Sequence, residues 1–213
     1  MRTLLHARES AEVSQGSETL RTLSTTVLIF VCNLIVGLQL AVVPGFVHFE
    51  LGYGTVLAGL VVSAQYVATL SSRPFAGRMG DTMGAKRTTC SGLVACVASG
   101  LIFAAAILLK ASPLANLSIL ILSRLVLGFA ESWVATGSTL WGIVRLGTGS
   151  EAKVISLSGI GSYGGIAAGA SLGVWLENHY SIRVIGITSA ALAIGRSDTG
   201  VGGAGGAAAC FRD

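Results

Sequence analysis

Two charged residues stand alone in a long apolar run. Between Ala111 and Val144, Arg124 and Glu131 are the only Asp, Glu, Lys or Arg side chains. They are seven positions apart, about two helical turns, so a helix would place them on one face roughly 10 Å apart along its axis. That is too far for a direct bond, so each must meet water, a solute or another helix. A guanidinium in such a setting can hold an anionic group or tune a carboxylate, and a carboxyl can carry a proton. The alternative is a polar pair that only locks helix packing. Asn33, Gln39 and Gln65 sit in other apolar runs and offer further polar contacts.

The elements that would hold these groups follow from composition. Of 213 residues, 52% are hydrophobic and only 11% are charged, and mean hydropathy is +0.75. A soluble domain carries about 25% charged residues, so this chain could not cover a water-soluble core of its own size. A helix needs roughly 20 mainly apolar residues to cross a bilayer. Thr22–Phe49, Leu51–Ser72, Thr88–Leu109 and Val154–Leu176 are each free of Asp, Glu, Lys and Arg and long enough for one span, and Ala111–Val144 gives a fifth. Their continuous apolar character argues against barrel strands, which alternate. The fold class expected is therefore an all-α integral membrane bundle, and charges at membrane depth are functional candidates by default.

Lysine and arginine placement orients the bundle. With the N-terminus cytoplasmic, Arg2, Arg8, Arg21, Arg73, Arg78, Lys86, Arg87, Arg145, Lys153, Arg196 and Arg212 fall inside, and only Lys110 and Arg183 fall outside. Residues 1–21 mix Arg2, Arg8 and Arg21 with Glu9, Glu12 and Glu18 and precede a full span, so they read as a cytoplasmic arm, not a cleaved signal. Trp141 and Trp175 fall near helix ends as interfacial anchors, whereas Trp133 reads as packed inside. Cys32, Cys90, Cys96 and Cys210 form no C-x-x-C and read as small apolar fillers. Asn116-Leu117-Ser118 matches a glycosylation pattern too short to carry weight. Despite a pI near 9.1, the basic residues form no face for nucleic acid. His6, His48 and His179 belong to no nucleophile–base or metal-ligand spacing, so no enzyme, metal or cofactor is expected.

The segment after the second span reads Gly77-Arg78-Met79-Gly80-Asp81-Thr82-Met83-Gly84-Ala85-Lys86-Arg87. Gly77 would let a helix end approach a neighbour closely. Asp81 to Gly84 suits a tight turn, and Lys86 and Arg87 supply inside charge. The spacing G-x-x-x-D-x-x-G-x-[RK]-[RK], in this position, resembles the loop signature of the major facilitator superfamily, with Thr82 and Ala85 where basic residues are common. The resemblance implies that Asp81 forms a cytoplasmic charge lock with Arg78, Lys86 or Arg87. The Arg124-Leu-Val-Leu-Gly128 stretch resembles the R-x-x-x-G element of the family's fourth span.

The fifth span contains Gly159-Ile-Gly161-Ser-Tyr-Gly164, a G-x-G-x-x-G match. It is set aside as a dinucleotide fingerprint, which must join a strand to a helix. Gly161, Gly165, Gly169 and Gly173 recur every four residues and form a smooth ridge that permits close helix approach in lipid. Gly165 to Val174 resembles the family's antiporter signature, with Ala170 in place of Pro and Val174 in place of the last Gly. The resemblance covers residues 22–195 and is nearest the bacterial YhhS/YfcJ-like subgroup.

The resemblance implies two six-helix halves, of which this chain has the length for one, in the inner (plasma) membrane. The expected layout is an arm at 1–21, a bundle at 22–195 and a Gly/Ala-rich tail at 196–213. The sixth span is incomplete: Val184–Gly195 is 12 uncharged residues, about 18 Å of helix against a core of roughly 30 Å. A truncation or frameshift near Ile194 to Arg196 would account for it, and a naturally short protein is the alternative. The reading is proton-coupled efflux of a small solute through a path lined by Arg124, Glu131, Gln39, Asn33 and Gln65, with this half inactive alone unless a second half or a second copy joins it. The ridge, left facing lipid, would be the homodimer face. The other class is a non-transporting membrane scaffold or inert remnant.

Overall fold

Glycine and proline punctuate the chain into long helices. The computed structural model describes residues 2–108, 112–147, 149–180, 184–189 and 191–192, with side chains from residue 23 onward. α1 spans Arg2–Gly45 and runs into a π-helical turn, Phe46–Glu50; α2 spans Thr55–Met83, α3 Ala85–Leu108, α4 Pro113–Leu146 and α5 Glu151–His179. Residues 184–189 and 191–192 are also helical. Among the described residues there is no strand. The bundle is all-α, as expected. The completeness of a sixth span and the nature of the tail concern residues outside those described.

Local chemistry explains the ends. Pro44 lies inside the last turn of α1 and cannot donate to the helix ladder; the wider π turn follows directly, closed by Leu51 N–H to the Phe46 carbonyl at 3.1 Å. α4 begins with Ser112, whose hydroxyl accepts from Ala115 N–H, and with Pro113 in the first turn.

Among the described residues, four helical stretches are long and apolar enough to cross a membrane: Leu23–Glu50, Thr55–Met83, Ala85–Ile107 and Pro113–Leu146. The fifth expected span, in α5, is not among them. α5 is as long as α2, at 29 residues, but its many glycines and serines dilute its hydropathy. It is placed by packing along α1.

The segment read as a loop at residues 77–87 is almost wholly helical. α2 continues to Met83, α3 starts at Ala85, and the chain reverses at Gly84 alone, with φ +87°. Gly77 does not serve close approach, because a Cβ there would meet nothing within 4 Å. The close neighbour is Gly80, one turn on, where a Cβ would lie 3.0 Å from Leu140 Cδ2. Trp141 is buried and carries the Arg145 guanidinium 4.0 Å over its ring. Trp175 is exposed, and Trp133 is half-buried.

The glycine ridge faces inward. Gly161, Gly165, Gly169 and Gly173 are the buried positions of α5 together with Val154. Cβ atoms built on them would run into the carbonyls of Thr26, Phe30, Leu34 and Leu38 in turn, and Gly37 answers from α1 against Ile166 and Ala170. The ridge therefore does not meet lipid or a second copy. Without a Cβ on either side, α1 can fill it, and it is consumed inside the bundle.

α3 packs along α4 in the same way, through Gly92 against Val134 and Gly137 against Thr89. α4 also packs on α2 and crosses α1. Two apolar clusters fill the interior. One, with Val43, Phe46, Val61, Phe103 and Leu120, lies toward the α1–α2 connection. The other, with Leu28, Ile35, Leu93, Leu127 and Val134, lies toward the opposite end. Outside them, large apolar side chains stand exposed, including Val56 at 79% and Leu70 at 72% on α2. A water-soluble protein would bury such a surface.

Candidate functional site

Arg124 lies on α4 one turn from Leu120 and one turn from Leu127, between the two apolar clusters. Its side chain is fully buried. The helix is pinned beside it by a reciprocal pair: Ser99 Oγ donates to the Ser123 carbonyl, and Ser123 Oγ donates to the Ser99 carbonyl, both at 3.0 Å. The guanidinium lies 5.7 Å from the centre of the Phe103 ring, and its Nη1 donates to Gln65 Oε1 at 3.0 Å. Nε and Nη2 have no partner among the described residues.

Gln65 is the bridge that the sequence did not specify. Its Nε2 donates to Glu131 Oε2 at 3.3 Å, so one amide joins the two charges that are too far apart to touch. Thr69, one turn further along α2, places its hydroxyl 3.0 Å from the same Glu131 oxygen and 3.0 Å from the Gln65 carbonyl, its single proton shared between the two acceptors. One carboxylate oxygen is thus held by two donors. Oε1 has no hydrogen bond among the described residues.

Gly128 makes this possible. It sits between Arg124 and Glu131 on α4, and a Cβ there would lie 2.8 Å from Ala68 Cβ and 2.9 Å from Thr69 N. Hydrogen in place of a methyl lets α2 approach until Gln65 and Thr69 reach the charged pair. The R-x-x-x-G spacing therefore has a plain steric reading: the arginine needs a partner on α2, and the glycine admits it.

Glu131 opens onto two adjoining cavities. One, about 400 Å³, is lined by Thr69, Arg73, Glu131 and Thr139 among others. The second, about 490 Å³, adds Asn33, Tyr66, Ser162 and Tyr163. Both sizes fall in the range of small-molecule pockets, roughly 300–1,000 Å³. Asn33 is itself anchored, its Nδ2 donating to the Ile29 carbonyl at 3.0 Å.

Of the expected path residues, Arg124, Gln65 and Glu131 form one hydrogen-bonded chain, and Asn33 lines the second cavity with Glu131. Gln39 joins neither group: it is fully buried, lines neither cavity, and its two amide atoms have no partner among the described residues. Thr69, Tyr66, Arg73, Ser162 and Tyr163 were not anticipated. The signal for two of them was present, since Gln65, Thr69 and Arg73 recur every four residues and share a helix face. At the far end of α2, Asp81 is exposed and has no ion-pair partner among the described residues. Among those residues, no group of three or more His, Cys, Asp or Glu side chains could hold a metal. His48 and His179 each bond a backbone carbonyl, those of Tyr53 and Trp175, at 2.9 Å.

Residues 25–195 match the Major Facilitator Superfamily. The chain is 49% identical over 180 residues to an uncharacterized MFS-type transporter of Burkholderia mallei (strain SAVP1), covering 84% of this chain and 44% of that protein. The same figures hold for one from Burkholderia pseudomallei (strain 668). A third, from Pseudomonas aeruginosa (strain LESB58), is 48% identical over 149 residues, 70% of this chain and 37% of that protein. The chain thus spans less than half the length of the curated relatives it matches. These relatives are named as transporters, not enzymes. With apolar helices long enough to cross a bilayer and a family match over most of its length, this multi-pass membrane protein belongs to the Major Facilitator Superfamily.

Proposed function

We propose that these residues form the first bundle of a secondary transporter that moves a small polar solute out across the plasma membrane in exchange for protons. Glu131 carries the proton. Arg124, through Gln65, holds the carboxylate in place, and Asn33 lines the path. Gln39 supplies a polar group at the depth of Arg124, since both lie 11 residues from the outer ends of their segments, Glu50 and Pro113. Asp81 closes the cytoplasmic side with Arg78, Lys86 or Arg87, and α5 completes the bundle as a fifth span. A second bundle supplies the facing wall.

One observation carries the reading. A carboxylate within an apolar span has donors on one oxygen only and lines two cavities. A purely structural pair would bury both oxygens against donors, because an unmet buried acceptor costs about 1–3 kcal/mol.

The test is proton flux in vesicles enclosing a pH-sensitive dye. The chain is reconstituted alone and with the second half of the Burkholderia mallei relative, and a panel of small polar solutes is applied. Solute-driven proton movement is expected in the paired preparation and is abolished by Glu131→Gln. Unchanged flux in that variant would remove Glu131 from the mechanism. No flux in either preparation would favour a non-transporting scaffold.

A further inference from the structure

The two cavities share one carboxylate and one guanidinium, Glu131 and Arg73. These charges are not paired with each other: no N···O approach within 4.0 Å joins them, and Arg73 makes no hydrogen bond or ion pair among the described residues. Their anchor points on the bundle follow from the helix. Arg73 is one turn beyond Thr69 on α2, about 6 Å along the axis, and Thr69 is bonded to Glu131. The remaining polar lining carries no net charge, and Tyr66 and Tyr163 are among the residues lining the second cavity. An ammonium group can use such rings as well as a carboxylate.

We infer that this cavity binds a small zwitterion, with its cationic end on Glu131 Oε1 and its anionic end on Arg73. The inference rests on the transport reading only in taking the cavity as the solute site. A singly charged solute would pair with one of these groups and leave the other without a counter-charge, so it forgoes one charge-assisted contact. A neutral solute would satisfy neither. A zwitterion whose charges are about one helical turn apart meets both at once. Arg73 becomes a specificity residue: it selects for the anionic end, whereas Glu131 selects for the cationic end.

The test compares three radiolabelled probes of matched length: 4-aminobutyrate, butylamine and butyrate. The full chain is held in lipid nanodiscs, and binding is read by equilibrium dialysis at neutral pH and low salt. The zwitterion is expected to bind at least about tenfold more tightly than either single-charge probe. Arg73→Gln, a change at an exposed position, should erase its advantage over butylamine and leave its advantage over butyrate. Glu131→Gln should do the reverse. Circular dichroism confirms that each variant keeps its helices.

Equal binding of butylamine and 4-aminobutyrate by the unaltered chain would overturn the inference. So would failure of all three probes to bind a fully helical protein. The two proposals fail separately. Zwitterion binding without proton flux sinks transport and leaves this site. Proton-coupled flux with no preference for zwitterions does the opposite.

Discussion

Replacing Gly128 by alanine tests how one missing methyl builds the charged site. The new Cβ would lie 2.8 Å from Ala68 Cβ and 2.9 Å from Thr69 N, and closer still to the Gln65 carbonyl oxygen. Ordinary contact begins at 3.4 Å, so α2 must retreat by about 0.5 Å or more. The obstacles include backbone atoms, so no rotamer change relieves them. That retreat takes the Gln65–Glu131 bond, already 3.3 Å, beyond hydrogen-bond reach, and stretches Thr69–Glu131 and Arg124–Gln65 from 3.0 Å to the limit. Overpacking costs about 1–3 kcal/mol, and a weakened bond to a buried charge adds about 1.5–3 kcal/mol. The expected loss is therefore about 2.5–6 kcal/mol. It is read as a shift in the unfolding curve when dodecyl sulfate is titrated into the protein in mild detergent. Gly77→Ala is the matched control. Its Cβ enters open space, and alanine favours helix over glycine by roughly 0.5–1 kcal/mol, so that variant should hold or gain stability. Equal stability of Gly128→Ala and Gly77→Ala would refute the steric argument and with it the role assigned to the glycine.

Gly169→Val should separate α5 from α1 and cost several kcal/mol, because the branched side chain points at the Leu34 backbone. Gly164→Ala, whose Cβ meets Phe30 at an ordinary 3.7 Å, should leave hydrogen exchange in α5 unchanged; equal exchange in both variants would contradict the inward ridge. Thr69→Val removes a hydroxyl from Glu131 while keeping shape, and should lower stability by about 1–3 kcal/mol; a neutral result in the same titration would mean that Glu131 is held by Gln65 alone. At the end of α5, burial and then the charge of Glu50 push the Glu177 carboxyl above its ordinary value. Ionisation is then disfavoured in the folded chain, so stability is greatest below the ordinary carboxylate pKa and falls as pH rises to the raised one. Glu50→Gln should flatten that fall, and an unchanged pH profile would show that the two carboxylates do not interact.

The all-α membrane fold and the identity of the charged pair were legible in residue order. Apolar runs of span length leave few alternatives in lipid, where every backbone group must bond within its own helix. Arg124 and Glu131 stood out for the same reason: so few charges enter these runs that each is conspicuous. Spacing on one helix could also say that the two do not touch.

What joins them could not be read this way. Gln65 is one of several polar residues in the apolar runs; its four-residue spacing to Thr69 and Arg73 marks a polar face of α2 but not what that face meets, and Gln39 has no partner among the described residues. The choice depends on which faces of α2 and α1 meet α4, a matter of glycine placement on three helices at once. The ridge of α5 shows the same limit. Its four-residue period announces a close-packed surface, but the surface is symmetric with respect to partner. Only the docking of α1, with Gly37 facing Ile166 and Ala170, decided that it is spent inside the bundle. Sequence thus determined the solvent, the helices and the charges at depth, because these depend on neighbours along the chain. The hydrogen-bonded bridge, the exposure of Glu131 to a cavity and the approach of Arg73 to it depend on distances between helices, and those exist only once the helices have packed.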